Sequence, residues 1–197
     1  KQPSLWLHRC FVVALVIRLF VGIGIPSPQG GRLASLCIGV KEARWVEQQN
    51  FHLTLRFIGD VQEPSVEEII RELTRIDWRS FFVTLSGVGR FGSRKKVRAL
   101  WAGIQPDPQL FNLHAKIKAA LTKCDIKPNG KRFIPHVTLA RLKNVQPNYT
   151  EDWILRHNLF RADRFLVEKI TLFESHRTNS GPIYIPVCIF PGREFSV

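Results

Sequence analysis

The sequence predicts an α+β fold, and three observations carry that reading. Strand-like runs rich in β-branched and aromatic residues, separated by turn residues, are mixed with only a few amphipathic helical stretches. The 197 residues are 45% hydrophobic and 23% charged, which suits one domain or two small lobes with a proper core and rules out a disordered basic tail. A short strand-like motif also recurs 84 positions apart, at His52 and at His136.

The chain contains no Met and opens with Lys1, so its N-terminal boundary is uncertain. Residues 1–16 read as an extension, and 17–197 as a single domain. The apolar run Cys10–Ile25 is interrupted by Arg18 and closed by Gly22, Gly24 and Pro26. A membrane-spanning helix needs about 20 mostly apolar residues, so a buried strand from about Ile17 to Ile25 is the better reading. A signal peptide, with Lys1 and Arg9 ahead of Cys10–Ile17, stays open. A weak helix is expected over Gln29–Cys37, where Gly30 and Gly31 oppose a long one. Strands are expected near 51–58, 81–89, 97–104, 133–142, 164–174 and 183–190. Ser65–Asp77 reads as a helix, with Ser65 and Glu68 as a capping box and Val66, Ile69, Ile70, Leu73 and Ile76 as its apolar stripe. Pro108–Lys123 reads as a second helix, with Leu110, Leu113, Ile117 and Leu121 on one face.

Charge and cysteine usage bound the partners. Lys and Arg number 29 against 16 Asp and Glu, a net charge of +13. That excess favours nucleic acid, an anionic surface or a phosphorylated substrate. The four cysteines form no C-x-x-C pair, so neither a disulfide scaffold nor a thiolate zinc site is expected, and a cytoplasmic location is the simpler assumption.

Phe51-His52-Leu53-Thr54-Leu55 is echoed by Pro135-His136-Val137-Thr138-Leu139. Random assembly of this composition yields roughly 0.005 His-[Leu/Val]-Thr-Leu tetrads per chain, so two copies are a true repeat. Residues i and i+2 of a strand share a face. His52 therefore projects with Thr54, and His136 with Thr138. Pseudo-twofold symmetry between the halves would bring all four into one cleft. Two imidazoles can divide acid and base work, threonine hydroxyls can hold non-bridging oxygens, and a nearby cation can neutralise phosphate. The chemistry implied is acid/base attack at phosphorus without a metal or other cofactor. No His-Glu-x-x-His or carboxylate-rich set accompanies the pair. His114 reads as a core or boundary residue, and His8, His157 and His176 lack comparable context.

These residues resemble the two-histidine (2H) phosphoesterases, and specifically their RNA 2′,3′-cyclic phosphodiesterase branch, historically called 2′-5′ RNA ligase. The resemblance runs from about Ile17 to Pro191. It includes Arg18-Leu19-Phe20-Val21, Ala43-Arg44-Trp45-Val46, Phe57-Ile58-Gly59, Leu100-Trp101-Ala102-Gly103, Leu113-His114-Ala115, Arg132 to Arg141, and Leu172-Phe173-Glu174-Ser175. It implies a bilobal fold of two pseudo-symmetric halves, with antiparallel sheets lining a central cleft and helices outside. It implies hydrolysis of a 2′,3′-cyclic phosphate to a 2′-phosphomonoester, with His52 as general acid toward O3′ and His136 as general base for water. Thr54 and Thr138 would hold the phosphate oxygens, and Arg141 would add a cationic contact. Phe20 and Phe133 are candidates to contact a base, with core packing an equal alternative for aromatics in strands. Strand parity puts Arg56, not Arg141, on the face of its own histidine, so Arg141 needs a strand end or a bulge to reach the cleft. Arg56 is then a solvated or groove-lining charge.

The segment Arg90-Phe91-Gly92-Ser93-Arg94-Lys95-Lys96-Val97-Arg98 reads either as a solvated hairpin tip or as a phosphate-tracking edge of an RNA groove. No RNP-type aromatic signature accompanies it. The expected partner is an RNA with a 2′,3′-cyclic phosphate end, tRNA fragments among them, met by a monomer away from membranes. Cleavage or ligation of 2′-5′ linkages is the alternative within the enzyme class. A non-catalytic RNA-binding module is the alternative outside it, although binding alone does not require two titrating groups.

Overall fold

The two repeated tetrads lie on neighbouring antiparallel strands. The computed structural model describes residues 15–194 apart from 129, 131, 144, 179 and 180. Most of the expected 1–16 extension, with its signal-peptide reading, lies outside the described residues. Strand β1 (Val16–Gly24) leads through helix α1 (Ser27–Ala34), the short strand β2 (Arg44–Trp45) and a 3-10 turn (Gln48–Asn50) into β3 (His52–Gln62). Helix α2 (Pro64–Thr74), β4 (Phe81–Val83), β5 (Leu85–Ser93) and β6 (Lys96–Ile104) follow. Then come α3 (Pro108–Lys123), β7 (His136–Arg141), α4 (Pro147–His157), β8 (Phe165–Val167), β9 (Lys169–Arg177) and β10 (Pro182–Pro191).

The main sheet runs β10-β9-β1-β3-β7-β6-β5, with β2 also paired to β7, and β4 pairs with β8 in a separate ribbon. The repeat seen in sequence extends to whole elements. A shift of 84 residues carries β4 onto β8, β5 onto β9, β3 onto β7 and α2 to within one residue of α4. Leu53 pairs with Val137, and Phe82 with Leu166. In both pairs each residue is the other's counterpart under that shift, so the pseudo-twofold axis passes through both. The halves also exchange strands. Strand β9 of the second repeat pairs with β1 of the first, while β5 of the first pairs with β6 of the second. Each lobe is therefore built from both repeats.

The apolar stripes account for the core. Leu110, Leu113, Ile117 and Leu121 of α3 are at most 2% exposed, as expected from their spacing. Asp107 caps this helix, its Oδ1 accepting from the backbone N–H of Gln109 and Leu110 at 2.8 and 3.1 Å. Helix α2 departs from expectation at both ends. Pro64 occupies its first turn and no side chain caps it, so Ser65 lies inside the helix and the expected capping box does not form. The helix stops at Thr74, three residues short of Asp77. Helix α1 exists despite two glycines, and Gly30 has a packing reason. A Cβ there would lie 3.2 Å from the side chain of Gln48, in the turn that leads into the first histidine. Helix α4 had no clear sequence signal, because only Thr150 and Trp153 of its residues are buried. No helix among the described residues is long and apolar enough to cross a membrane.

The axis contact is a stability test. Leu53 is fully buried, so Leu53→Ala is expected to cost about 2–5 kcal/mol in chemical denaturation. The exposed Ile183→Ser on β10 is expected to stay within about 0.5 kcal/mol of the parent. Equal effects from the two substitutions would contradict this placement of the core.

Candidate active site

Pairing of Leu53 with Val137 sets His52 opposite Thr138 and Thr54 opposite His136 on the shared face. The histidines then occupy one diagonal and the threonines the other. Diagonal neighbours across an antiparallel pair lie roughly 7–8 Å apart, a span that admits a phosphate between two imidazole tips. All four side chains are partly buried.

Each imidazole is held in the same way. Nδ1 of His52 lies 2.8 Å from the Asn50 carbonyl, and Nδ1 of His136 lies 2.7 Å from the Ile134 carbonyl. A carbonyl only accepts, so Nδ1 carries the proton in both rings and Nε2 is left free for chemistry. The two contacts are counterparts under the 84-residue shift.

Matched bulges complete the face. Leu55 of β3 is skipped in the pairing with β1, and Leu139 of β7 is skipped in the pairing with β6. A bulge resets strand alternation by one residue. Leu55 and Arg56 are therefore both buried, as are Leu139 and Ala140. Phe57 and Arg141 turn outward onto the face of the histidines. The bulge that Arg141 required is thus present.

Arg56 corrects the expectation of a solvated or groove-lining charge. It is 5% exposed, donates from Nη2 to the Lys127 carbonyl, and its Nε has no hydrogen-bond partner among the described residues. Its structural counterpart is Ala140, and that of Arg141 is Phe57, so the two basic residues that follow the tetrads are not equivalent.

The electrostatics place Arg141 beside both histidines. Burial pushes the His52 imidazole down to about 4, helped by the charges of Arg141 and His136. Burial also lowers His136, again with Arg141 contributing. Burial raises the Tyr184 hydroxyl, and Arg141 acts on it in the opposite sense. One guanidinium therefore acts through its charge on both imidazoles and a phenol.

Aromatic rings surround the pair unequally. Around His52, the rings of Phe20 and Tyr184 both lie at 4.8 Å and Phe173 at 6.4 Å. Around His136, Phe91 lies at 4.7 Å and Trp101 at 6.2 Å. Phe20 is 1% exposed, with Phe173 stacked on it at 5.0 Å. It supports His52 and offers no open face to a base, which decides for the packing alternative. Phe133 stacks on His114 at 4.0 Å, with Phe111 edge-on at 5.8 Å, so it belongs to the α3 side and not to the histidine cluster. Tyr184, Phe173, Phe91 and Trp101 were not singled out from sequence. Trp101 and Phe173 lay within the motifs that carried the resemblance, whereas Tyr184 reaches the site only through the β9–β10 register.

The basic segment 90–98 forms the β5–β6 hairpin, with Arg94 and Lys95 at its turn. Glu151 of α4 pairs with Arg94 at 2.6 Å and lies 3.7 Å from Arg90. Lys95, Lys96 and Arg98 remain exposed.

Comparison with known proteins agrees with this geometry. Residues 31–179, which hold both tetrads, match the 2′-5′ RNA ligase superfamily. An RNA 2′,3′-cyclic phosphodiesterase of Aquifex aeolicus is 34% identical over 148 residues, spanning 73% of this chain and 79% of the relative. One from Aeropyrum pernix is 34% identical over 160 residues, spanning 78% and 91%. Among solved structures, Escherichia coli LigT complexed with 3′-AMP superimposes with a TM-score of 0.74 at 22% identity, covering 90% of this chain and 99% of that one. TT0787 of Thermus thermophilus gives 0.77 at 23% identity, covering 90% and 99%. At that identity the structural likeness speaks for the fold. With both histidine motifs inside the matched region, the chain belongs to the 2′-5′ RNA ligase superfamily.

Proposed function

We propose that the protein hydrolyses RNA 2′,3′-cyclic phosphate ends to 2′-phosphomonoesters by acid/base catalysis, without a metal ion. The observation that carries this reading is the pair of imidazoles with Nδ1 tied to backbone and Nε2 free, set diagonally across the axis beside Arg141. The names of the relatives support the same substrate class.

The cyclic phosphate sits between the two Nε2 atoms. His136 Nε2 removes a proton from water as its oxygen bonds to phosphorus. His52 Nε2, protonated, delivers a proton to O3′ as the P–O3′ bond breaks. A 2′-phosphomonoester and a free 3′-hydroxyl result, and proton exchange with solvent restores both histidines. The Thr54 and Thr138 hydroxyls donate to the non-bridging oxygens, and Arg141 offsets the charge that builds there.

The resting electrostatics fit this cycle. Without an anion, His52 is neutral at neutral pH, because burial opposes its charge. A phosphate between the rings acts in the opposite direction and favours the imidazolium. The substrate thereby helps to protonate its own general acid.

Each of His52→Ala and His136→Ala is expected to lower kcat on adenosine 2′,3′-cyclic phosphate by about 10²–10⁴-fold, and activity is expected to survive EDTA. Full turnover by either variant would sink the assignment. In NMR titrations, inorganic phosphate is expected to raise the His52 midpoint by roughly one pH unit or more, as an opposite charge at close range does. Arg141→Leu is expected to raise both histidine midpoints in the phosphate-free protein, because its charge depresses both; unchanged midpoints would remove Arg141 from the site. Linkage gives a further sign. The folded His52 value lies below the ordinary 6.5, so the unfolded chain binds more protons between the two values. Stability from this group is expected to fall as pH drops from 6.5 toward about 4, and His52→Phe is expected to flatten that slope.

A further inference from the structure

Strand β7 is flanked along its length by β6, with Ala99 opposite Arg141 and Gly103 opposite His136. Its other edge is shared between two strands. Strand β3 takes the end near the histidines, and β2 takes the far end, with Arg44 opposite Arg141 and Trp45 opposite Ala140. Strand β2 therefore continues the column of β3 beyond His52. Directly paired residues of an antiparallel sheet share a face, so Arg44 stands on the catalytic face next to Arg141. Trp45 turns the other way, its ring 6.2 Å from that of Trp153 in α4. His52 is set opposite Thr138, and Arg44 is set opposite Arg141, three residues further along β7. That separation is at most about 10 Å at the rise of a strand.

Like charges set directly opposite one another across a sheet oppose folding. Both arginines are exposed, and neither forms an ion pair among the described residues. Glu47, three residues beyond Arg44, accepts from Gln49 Nε2 at 2.5 Å instead. The pairing is confined to one repeat. Under the 84-residue shift the counterpart of Arg44 is Pro128 and that of Arg141 is Phe57, so the equivalent place in the other half carries no charge. Repulsion kept in one half only, on the catalytic face, fits a ligand that brings two negative charges to that half.

The reacting phosphate accounts for one of those charges, beside Arg141. In-line displacement puts the attacking water and the leaving oxygen on opposite sides of phosphorus. If His52 protonates O3′, the terminal ribose that O3′ belongs to must lie on the His52 side. The next phosphate of an RNA strand is attached to the 5′ oxygen of that same ribose. Arg44 lies on the same edge of β7 as His52 and its guanidinium is unpaired among the described residues. We infer that Arg44 binds the phosphodiester on the 5′ side of the terminal nucleotide, which makes a strand of two or more nucleotides a better substrate than a lone cyclic nucleotide. This inference rests on the phosphodiesterase reading above. A planar guanidinium holds such a diester by two parallel N–H···O bonds to its non-bridging oxygens. The contact reads charge and carries no preference for any base.

The test compares two adenine dinucleotides that end in a 2′,3′-cyclic phosphate, one joined by an ordinary phosphodiester and one by an uncharged methylphosphonate. In the parent protein kcat/KM is expected to favour the charged linkage by about tenfold or more, the range of one hydrogen bond to a charged group. Arg44→Gln is expected to bring that ratio close to one, and Arg44→Lys to retain part of it. The ratio is taken within each protein, so any effect of the substitution on the shared chemistry cancels. For the phosphodiester substrate, the slope of log(kcat/KM) against log salt is expected to shrink by about 0.7 in Arg44→Gln, the value for one single-strand phosphate contact. A parent ratio within twofold of one, or an Arg44→Gln ratio within twofold of the parent's, would overturn the inference. Binding of the matching dinucleotides that end in a 2′-monophosphate, measured by calorimetry on the same proteins, separates the two levels. A parent that turns over neither cyclic phosphate defeats the phosphodiesterase reading. A binding preference for the charged linkage that is lost in Arg44→Gln still supports the Arg44 site, and no such preference overturns it.

Discussion

One antiparallel contact, Leu53 against Val137, governs how the two lobes meet. Each residue is the other's counterpart under the 84-residue repeat, so the contact lies on the pseudo-twofold axis. Side chains alternate faces with a period of two, and a slip of one residue would send every catalytic side chain to the opposite face. Complete burial of Leu53 and Val137 resists such a slip, because it would bring both into water. The Phe82–Leu166 pair in the β4–β8 ribbon supplies a second point on the same axis. Two points fix a line, and strand exchange between the halves ties each lobe to both repeats.

Within that frame the paired bulges decide which charge reaches the face of the histidines. Had alternation run on unbroken, Arg56 and Ala140 would face the cleft, with Phe57 and Arg141 turned away. The bulges at Leu55 and Leu139 reverse this, and they do so in both repeats at once. The outcome is a single guanidinium beside two half-buried imidazoles. In a site of low dielectric each charge acts over a longer effective range than in water. Burial, with a smaller contribution from Arg141, lowers both histidines in the empty site, and under the mechanism proposed above Arg141 then helps to hold the anion. An empty site of this kind carries little protonated histidine to repel its own guanidinium.

Much of this was legible in the sequence. The tetrads, the α3 stripe and most strands carry local signals, since periodicity and β-branched content depend only on neighbours along the chain. Thr54 and Thr138 follow from parity alone. Arg56 was misplaced because a bulge depends on pairing with another strand and leaves no mark in the strand that contains it. Phe20 stayed open between two readings because an aromatic in a strand looks the same whether it supports a histidine or meets a base. Burial at 1% settles that question, and burial is a property of the assembled sheet. Tyr184 had no sequence signal at all, since its place beside His52 comes from the register of β10 on β9. The capping box failed for a local reason: Pro64 starts the helix one residue before Ser65.

A duplicated unit yields two equal histidines, yet in-line displacement needs an acid on one side of phosphorus and a base on the other. The two His-x-Thr motifs, and the carbonyls that orient their rings, are equivalent and cannot supply that difference. It must come from residues around them, and clear differences are Arg141 against Phe57, Trp101 against Gly22, and open Gly24 against enclosed Gly103. All three lie on the catalytic face. Trp101 fills the His136 side to the point that Gly89 tolerates no side chain, while Gly22 and Gly24 keep the His52 side low. Under the mechanism proposed above, this asymmetry would seat a nucleotide's phosphorus between the rings in one orientation, and shape, acting before any proton moves, would assign each histidine its role.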